Sequence, residues 1–99
     1  VEVSRFGRSG IVVAGWNGRS GWADVAITRV NVNNNRHSGI LTYAKEWAVH
    51  RNVYIADSLV WNHSGISGWT EGTGNGISLG NLDGATVERC RVWNNGWLN

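Results

Sequence analysis

Apolar and polar residues alternate along most of this chain in short runs, and the runs return in a fixed order. Val25 and Ile27, Val53 and Ile55, and Ala85 and Val87 are each separated by one residue, the spacing of a strand with one face buried. Two residues interrupt each run before the pairs Val30 and Val32, Ser58 and Val60, and Cys90 and Val92, so the alternation changes phase. That change predicts a bend between two short strands. Ahead of each valine-rich phrase stands a glycine–isoleucine phrase: Ser9 to Gly15, Ser38 to Ala44 and Asn75 to Asn81. Each repeat therefore predicts three strands.

Superposed, the repeats align Val25 with Val53 and Ala85, Ile27 with Ile55 and Val87, and Val32 with Val60 and Val92. A chain that bends and returns to the same register after about 28 to 37 residues stacks strand upon strand at ~4.8 Å, each repeat burying its apolar face against its neighbours. No window carries apolar residues at helical spacing, which excludes helical solenoids. The predicted fold is all-β, a parallel β-helix of about three coils occupying residues 1–99 as a single segment. The chain opens without an initiator methionine and stops where a further repeat would begin, so it is expected to belong to a longer solenoid.

Asn34, Asn62 and Asn94 end the third strand of each repeat at one equivalent site. Asparagine tolerates the left-handed conformation of a sharp corner, and its amide can bond to identical amides above and below. A structural ladder is expected there. The Asn62-His63-Ser64 triplet matches a glycosylation acceptor but is set aside, because a ladder would hide the amide.

Composition narrows the picture. Hydrophobic residues make up 41% of the chain and charged residues 16%, ordinary values for a globular protein. No apolar run approaches the ~20 residues of a membrane helix, so membrane insertion is not expected. A net charge of +2 from scattered basic residues gives no case for nucleic acid. The single cysteine, Cys90, falls at an inward position and reads as an inert thiol. Fourteen glycines without a proline suit tight turns between strands that keep all their backbone donors.

Together the repeated phrases, and most closely the stretch from Gly74 to Gly96, resemble the right-handed parallel β-helix repeats of the pectate lyase-like superfamily. That resemblance implies a substrate cleft on the outer face of the first sheet and its flanking loops. It implies a polysaccharide or glycan as partner and a secreted or bacterial cell-envelope location. It does not choose among lyases, hydrolases and non-catalytic shafts.

The outward positions of that sheet are Val12, Ala14, Leu41, Tyr43, Ser78 and Gly80. Just past the strand ends, Asn17, Glu46 and Asp83 align in successive repeats, beside Lys45, Trp16 and Trp47. Glu46 and Asp83 would then stand roughly 5 Å apart, near the ~5 to 5.5 Å carboxyl separation of retaining glycosidases. As a hydrolase the chain would use them as acid and partner. As a lyase it would use Lys45, Tyr43 or His63 as base, with an arginine or calcium neutralising a uronate carboxylate. The same carboxylates could ligate calcium or pair with Lys45 and Arg51. The longest insertion, His63 to Gly74, brings His63, Trp69 and Glu71 towards Tyr43, with Trp69 offering a flat face to a sugar ring. Five of the seven tryptophans fall in loops, while Trp61 and Trp93 share one outward column and should stack.

The leading expectation is thus a segment that binds polysaccharide, with cleavage as a glycoside hydrolase or polysaccharide lyase left open. The other is a structural or adhesive shaft whose ends also invite further coils or end-to-end self-association.

Overall fold

The computed structural model describes residues 1–69 and 72–96, and every regular element among them is a β-strand. In chain order these are β1 (Glu2–Ser4), β2 (Ile11–Gly15), β3 (Ala23–Thr28), β4 (Asn31–Asn33), β5 (Ser38–Ala44), β6 (His50–Ala56), β7 (Leu59–Trp61), β8 (Asn75–Ser78), β9 (Leu82–Glu88) and β10 (Arg91–Trp93). They form three parallel sheets, β2-β5-β8, β3-β6-β9 and β1-β4-β7-β10, so consecutive strands always lie in different sheets. The chain is a parallel β-solenoid of about three turns.

The columns fall where the alternation puts them. Val25, Val53 and Ala85 are register partners, as are Ile27, Ile55 and Val87. Val3, Val32, Val60 and Val92 stack in the third sheet, and Ile11, Ile40 and Ile77 in the first. Buried Ile27, Val32, Ile40, Val53, Ile55 and Val60 form one core running along the axis.

A column of glycines makes room for it. Gly10, Gly39 and Gly76 each lie against a γ-methyl of the third-strand valine of their own coil, Val32, Val60 and Val92 respectively. No side chain fits there.

The corner between the second and third strands is taken by Arg29, Asp57 and Arg89, at φ 54°, 53° and 51°. The corner after the third strand is taken by Arg5, Asn34, Asn62 and Asn94, at φ 64°, 54°, 60° and 51°. Left-handed residues at the same place in each coil are what turn the chain from sheet to sheet. On the outer face Arg89 forks onto Asp57, with Nε on Oδ1 at 2.7 Å and Nη2 on Oδ2 at 3.0 Å. Arg89 holds the Asp57 carboxyl below its ordinary pKa, chiefly by that hydrogen bonding. Tyr54 donates to Glu88 Oε1 at 2.6 Å, a bond that raises the phenol's pKa. Trp61 and Trp93 stack with centroids 5.5 Å apart and planes 5° from parallel.

The side-chain ladder lies one residue beyond the expected one. A left-handed corner directs the following residue inward, so Asn35, His63 and Asn95 form the hydrogen-bonded column. Asn34 Nδ2 donates instead to its neighbour Asn33 Oδ1 at 2.7 Å. Phe6 N–H donates to Asn35 Oδ1 at 3.0 Å, and His63 N–H donates to Asn95 Oδ1 at 3.1 Å. The two carboxamides donate to Val3 O at 3.2 Å and to Val60 O at 3.3 Å. Between them, Asn35 Nδ2 donates to His63 Nε2 at 3.2 Å, and His63 Nδ1 donates to Asn95 Oδ1 at 2.7 Å.

Candidate functional site

Strand alternation decides which side chains of the first sheet meet solvent. In β5, Ile40 and Thr42 point inward and are buried, so Leu41 and Tyr43 point outward, beside Val12 of β2. Thr42 uses its hydroxyl inside, donating to Gly80 O at 3.0 Å and accepting from Gly80 N–H at 2.9 Å. Over Val12 and Leu41 the outer face opens a cleft of about 550 Å³.

At one end of this cleft the loop after β2 folds Trp16 edge-on to Tyr43, with centroids 5.2 Å apart and planes at 76°. At the other end stand Arg8, Ser9 and His37, the residues leading into β2 and β5. His37 Nδ1 is hydrogen-bonded to the Ser38 hydroxyl at 3.0 Å, and Ser9 Oγ lies 3.4 Å from the same nitrogen. Trp69, from the insertion, packs edge-on to His37 at 5.4 Å and lies under the Arg8 guanidinium at 4.8 Å. An apolar floor bounded by aromatic faces and a few polar groups is the usual make-up of a small-molecule site.

No family model, curated protein or solved structure matches this chain. The site therefore rests on its own geometry.

That geometry separates the residues the sequence grouped together. Glu46 lies exposed in the loop after β5, at φ 57°, with its carboxylate beside Gly18 of the preceding coil. Asp83 lies in β9 opposite Arg51, with which it forms an ion pair. The expected stacking of Glu46 on Asp83 is corrected: the register partner of Asp83 is five residues past Glu46, because the link between first and second strands contracts. It runs seven residues from Trp16 to Trp22, five from Lys45 to Val49, and three from Leu79 to Asn81.

Lys45 is exposed, its backbone N–H donating to Gly15 O at 3.0 Å, and Trp47 is 87% exposed beside it. His63, expected to exchange a proton with substrate, is instead wholly buried in the interior ladder. Its imidazole has a lowered pKa, because burial penalises the charged form more than the Asn95 hydrogen bond favours it. Of the expected residues Tyr43 lines the cleft and Trp69 packs against its lining residues His37 and Arg8, whereas Glu71 falls outside the described residues. Among the described residues no three His, Cys, Asp or Glu side chains gather as a metal site.

The sequence missed Arg8, Ser9 and His37. Their signal was their place: Arg8-Ser9 and His37-Ser38 align immediately before the glycine column, where a chain entering the sheet must cross its outer rim.

A second hollow, of about 580 Å³, follows the asparagine corner past Asn34, Asn62 and Asn94. Its described lining offers amides and Arg36 rather than an aromatic face.

Proposed function

We propose that this chain is a glycan-binding β-solenoid segment whose ligand lies along the outer face of the β2-β5-β8 sheet, in the cleft between Trp16–Tyr43 and Arg8–His37. One observation carries the reading: an edge-to-face aromatic pair and an arginine face each other across an apolar floor in a cleft of about 550 Å³. Aromatic rings cover the apolar C–H faces of a sugar, while Arg8, Ser9 and the Tyr43 hydroxyl can bond its hydroxyl groups. The likeness of the repeats to pectate lyase-like β-helices supports the same substrate class, and a secreted or cell-envelope location forms part of the proposal. The carboxylate pair of a retaining hydrolase is not assembled. Glu46 and Asp83 do not stack as acid and partner, and the cleft's described lining contains no carboxylate.

Screening the chain against an array of neutral and acidic polysaccharides, followed by titration calorimetry on the strongest hit, tests the reading. Trp16→Ala and Tyr43→Ala should each weaken binding about tenfold, corresponding to ~1.4 kcal/mol. Asp83→Asn, on another sheet, should leave affinity unchanged. Native affinity in both aromatic variants would refute the assignment.

A further inference from the structure

Asn62-His63-Ser64 is the chain's single Asn-x-Ser/Thr triplet, the acceptor pattern for N-linked glycans. A ladder through Asn62 would have hidden its amide, but the hydrogen-bonded column passes instead through the next residue, His63. The Asn62 side chain is left outside the core.

Asn62 stands at the left-handed corner after β7, between Asn34 in the coil below and Asn94 in the coil above. Backbone bonds tie the three corners together: Asn34 N–H donates to Trp61 O at 3.2 Å and Asn62 N–H to Trp93 O at 3.4 Å. A described coil covers Asn62 on either side, so its partial exposure is lateral and owes nothing to the ends of the solenoid. Its side chain lines the corner hollow of about 580 Å³, together with Ser64 and Arg36.

The neighbouring amides are already engaged. Asn34 Nδ2 donates to Asn33 Oδ1, and Asn35 Nδ2 donates both to Val3 O and to His63 Nε2. A sugar on Asn35 would take the place of one of those hydrogens and break a ladder bond inside the core. Among the described residues no group bonds the Asn62 carboxamide, so a sugar there breaks nothing.

We propose that Asn62 Nδ2 is an N-glycosylation acceptor, with the corner hollow seating the first sugar. The donor is an oligosaccharide carried on a polyprenyl diphosphate. Nδ2 bonds to the anomeric carbon of that sugar as the bond from this carbon to the diphosphate oxygen breaks. The bonding electron pair leaves with the lipid diphosphate, and the displaced Nδ2 proton passes to a base of the transferase. Nothing is oxidised or reduced. Ser64 supplies the hydroxyl of the acceptor pattern; it lies in the same hollow and is engaged with Gly65 O at 3.3 Å. Because the Asn62 side chain ends outside the core, a chain glycosylated before folding still closes the same solenoid. The proposal rests on the glycan-binding reading for its secreted or cell-envelope location alone, and Asn62 is not among the residues lining the cleft.

Production of the whole chain in a eukaryotic cell behind a cleavable secretion leader tests this, with cells and medium both sampled. The mass of one oligosaccharide should be added, and peptide N-glycosidase should remove it. Ser64→Ala should abolish the addition, whereas Ser64→Thr should retain it. The glycosylated chain should melt within about 5 °C of the Ser64→Ala chain. An unmodified native chain, an addition that survives Ser64→Ala, or a glycosylated chain lacking the strand spectrum and melting transition of Ser64→Ala would each overturn the inference. The array titration of unglycosylated chain reads the cleft separately, so a cleft that binds no glycan and a corner that accepts none are distinct results.

Discussion

Acidifying a solution of the native chain from about pH 7 to about pH 5 should lower its unfolding free energy by up to ~1.4 kcal/mol per pH unit through His63 alone. The cause is the fixed polarity of the interior ladder. Asn35 cannot turn its amide over, because Oδ1 accepts from Phe6 N–H and Nδ2 donates to Val3 O. It therefore presents a donor to His63, whose Nε2 must accept, while Nδ1 donates to Asn95. Only the neutral ring satisfies both neighbours. A second proton would set N–H against N–H₂ in a wholly buried site, and burial already holds the ring's pKa below its ordinary value. The folded chain consequently binds fewer protons than the unfolded chain between the two pKa values. Stability is full above about pH 6.5, falls as the pH drops below that, and levels off beneath the folded pKa. Urea unfolding across this range should give a sloping profile for the native chain and a flatter one for His63→Asn, which substitutes a neutral amide like those above and below it. His63→Ala should cost about 2 to 4 kcal/mol at neutral pH, from the cavity and from the amide donor left without a partner. An undiminished acid slope in His63→Asn would remove His63 as the cause.

The coil columns were legible in the sequence because strand alternation has a short period and the repeats share it. Val25, Val53 and Ala85 needed only to be superposed to fall into register. The ladder was legible to within one residue. Asn34-Asn35 and Asn94-Asn95 offer two adjacent columns, one identical in all three repeats through Asn62 and the other passing through His63. What settles the choice is the left-handed backbone at Asn34, Asn62 and Asn94, which consumes the asparagine's conformational tolerance at the corner and turns the next side chain inward. The carboxylate pair failed for another reason. Strand register propagates through backbone hydrogen bonds, but loops carry none of that constraint, and a link shrinking from seven residues to three shifts every residue in it. The outward floor of the cleft, Val12, Leu41 and Tyr43, followed from alternation. Its ends did not, since Trp16 and Arg8 reach it through loop geometry that no periodicity encodes.

Gly39→Ala should abolish cooperative folding, although it adds a single methyl group. A Cβ at Gly39 would lie 2.6 Å from the backbone oxygen of Gly76 and 2.9 Å from His63 Cε1, besides overlapping a methyl of Val60. The obstruction comes from three directions. Val60 is held by its stacked partners in β4 and β10, and His63 by Asn35 and Asn95. Gly76 belongs to β8, whose pairing with β5 is only four residues long at most and cannot shift without losing register. Overpacking a tight core typically costs about 1 to 3 kcal/mol when side chains can adjust, and more when backbone must move. A domain of this size holds roughly 5 to 15 kcal/mol in total, so the variant should show either no thermal transition or one displaced by tens of degrees. Gly7→Ala is the matched comparison: it is exposed, nothing lies within 4 Å of the added methyl, and its stability should change by less than about 1 kcal/mol. A native melting temperature for Gly39→Ala would mean that coil-to-coil packing is loose enough to admit a methyl group. The glycine column would then owe its place to the turn before the strand rather than to the valine and ladder side chains pressed against it.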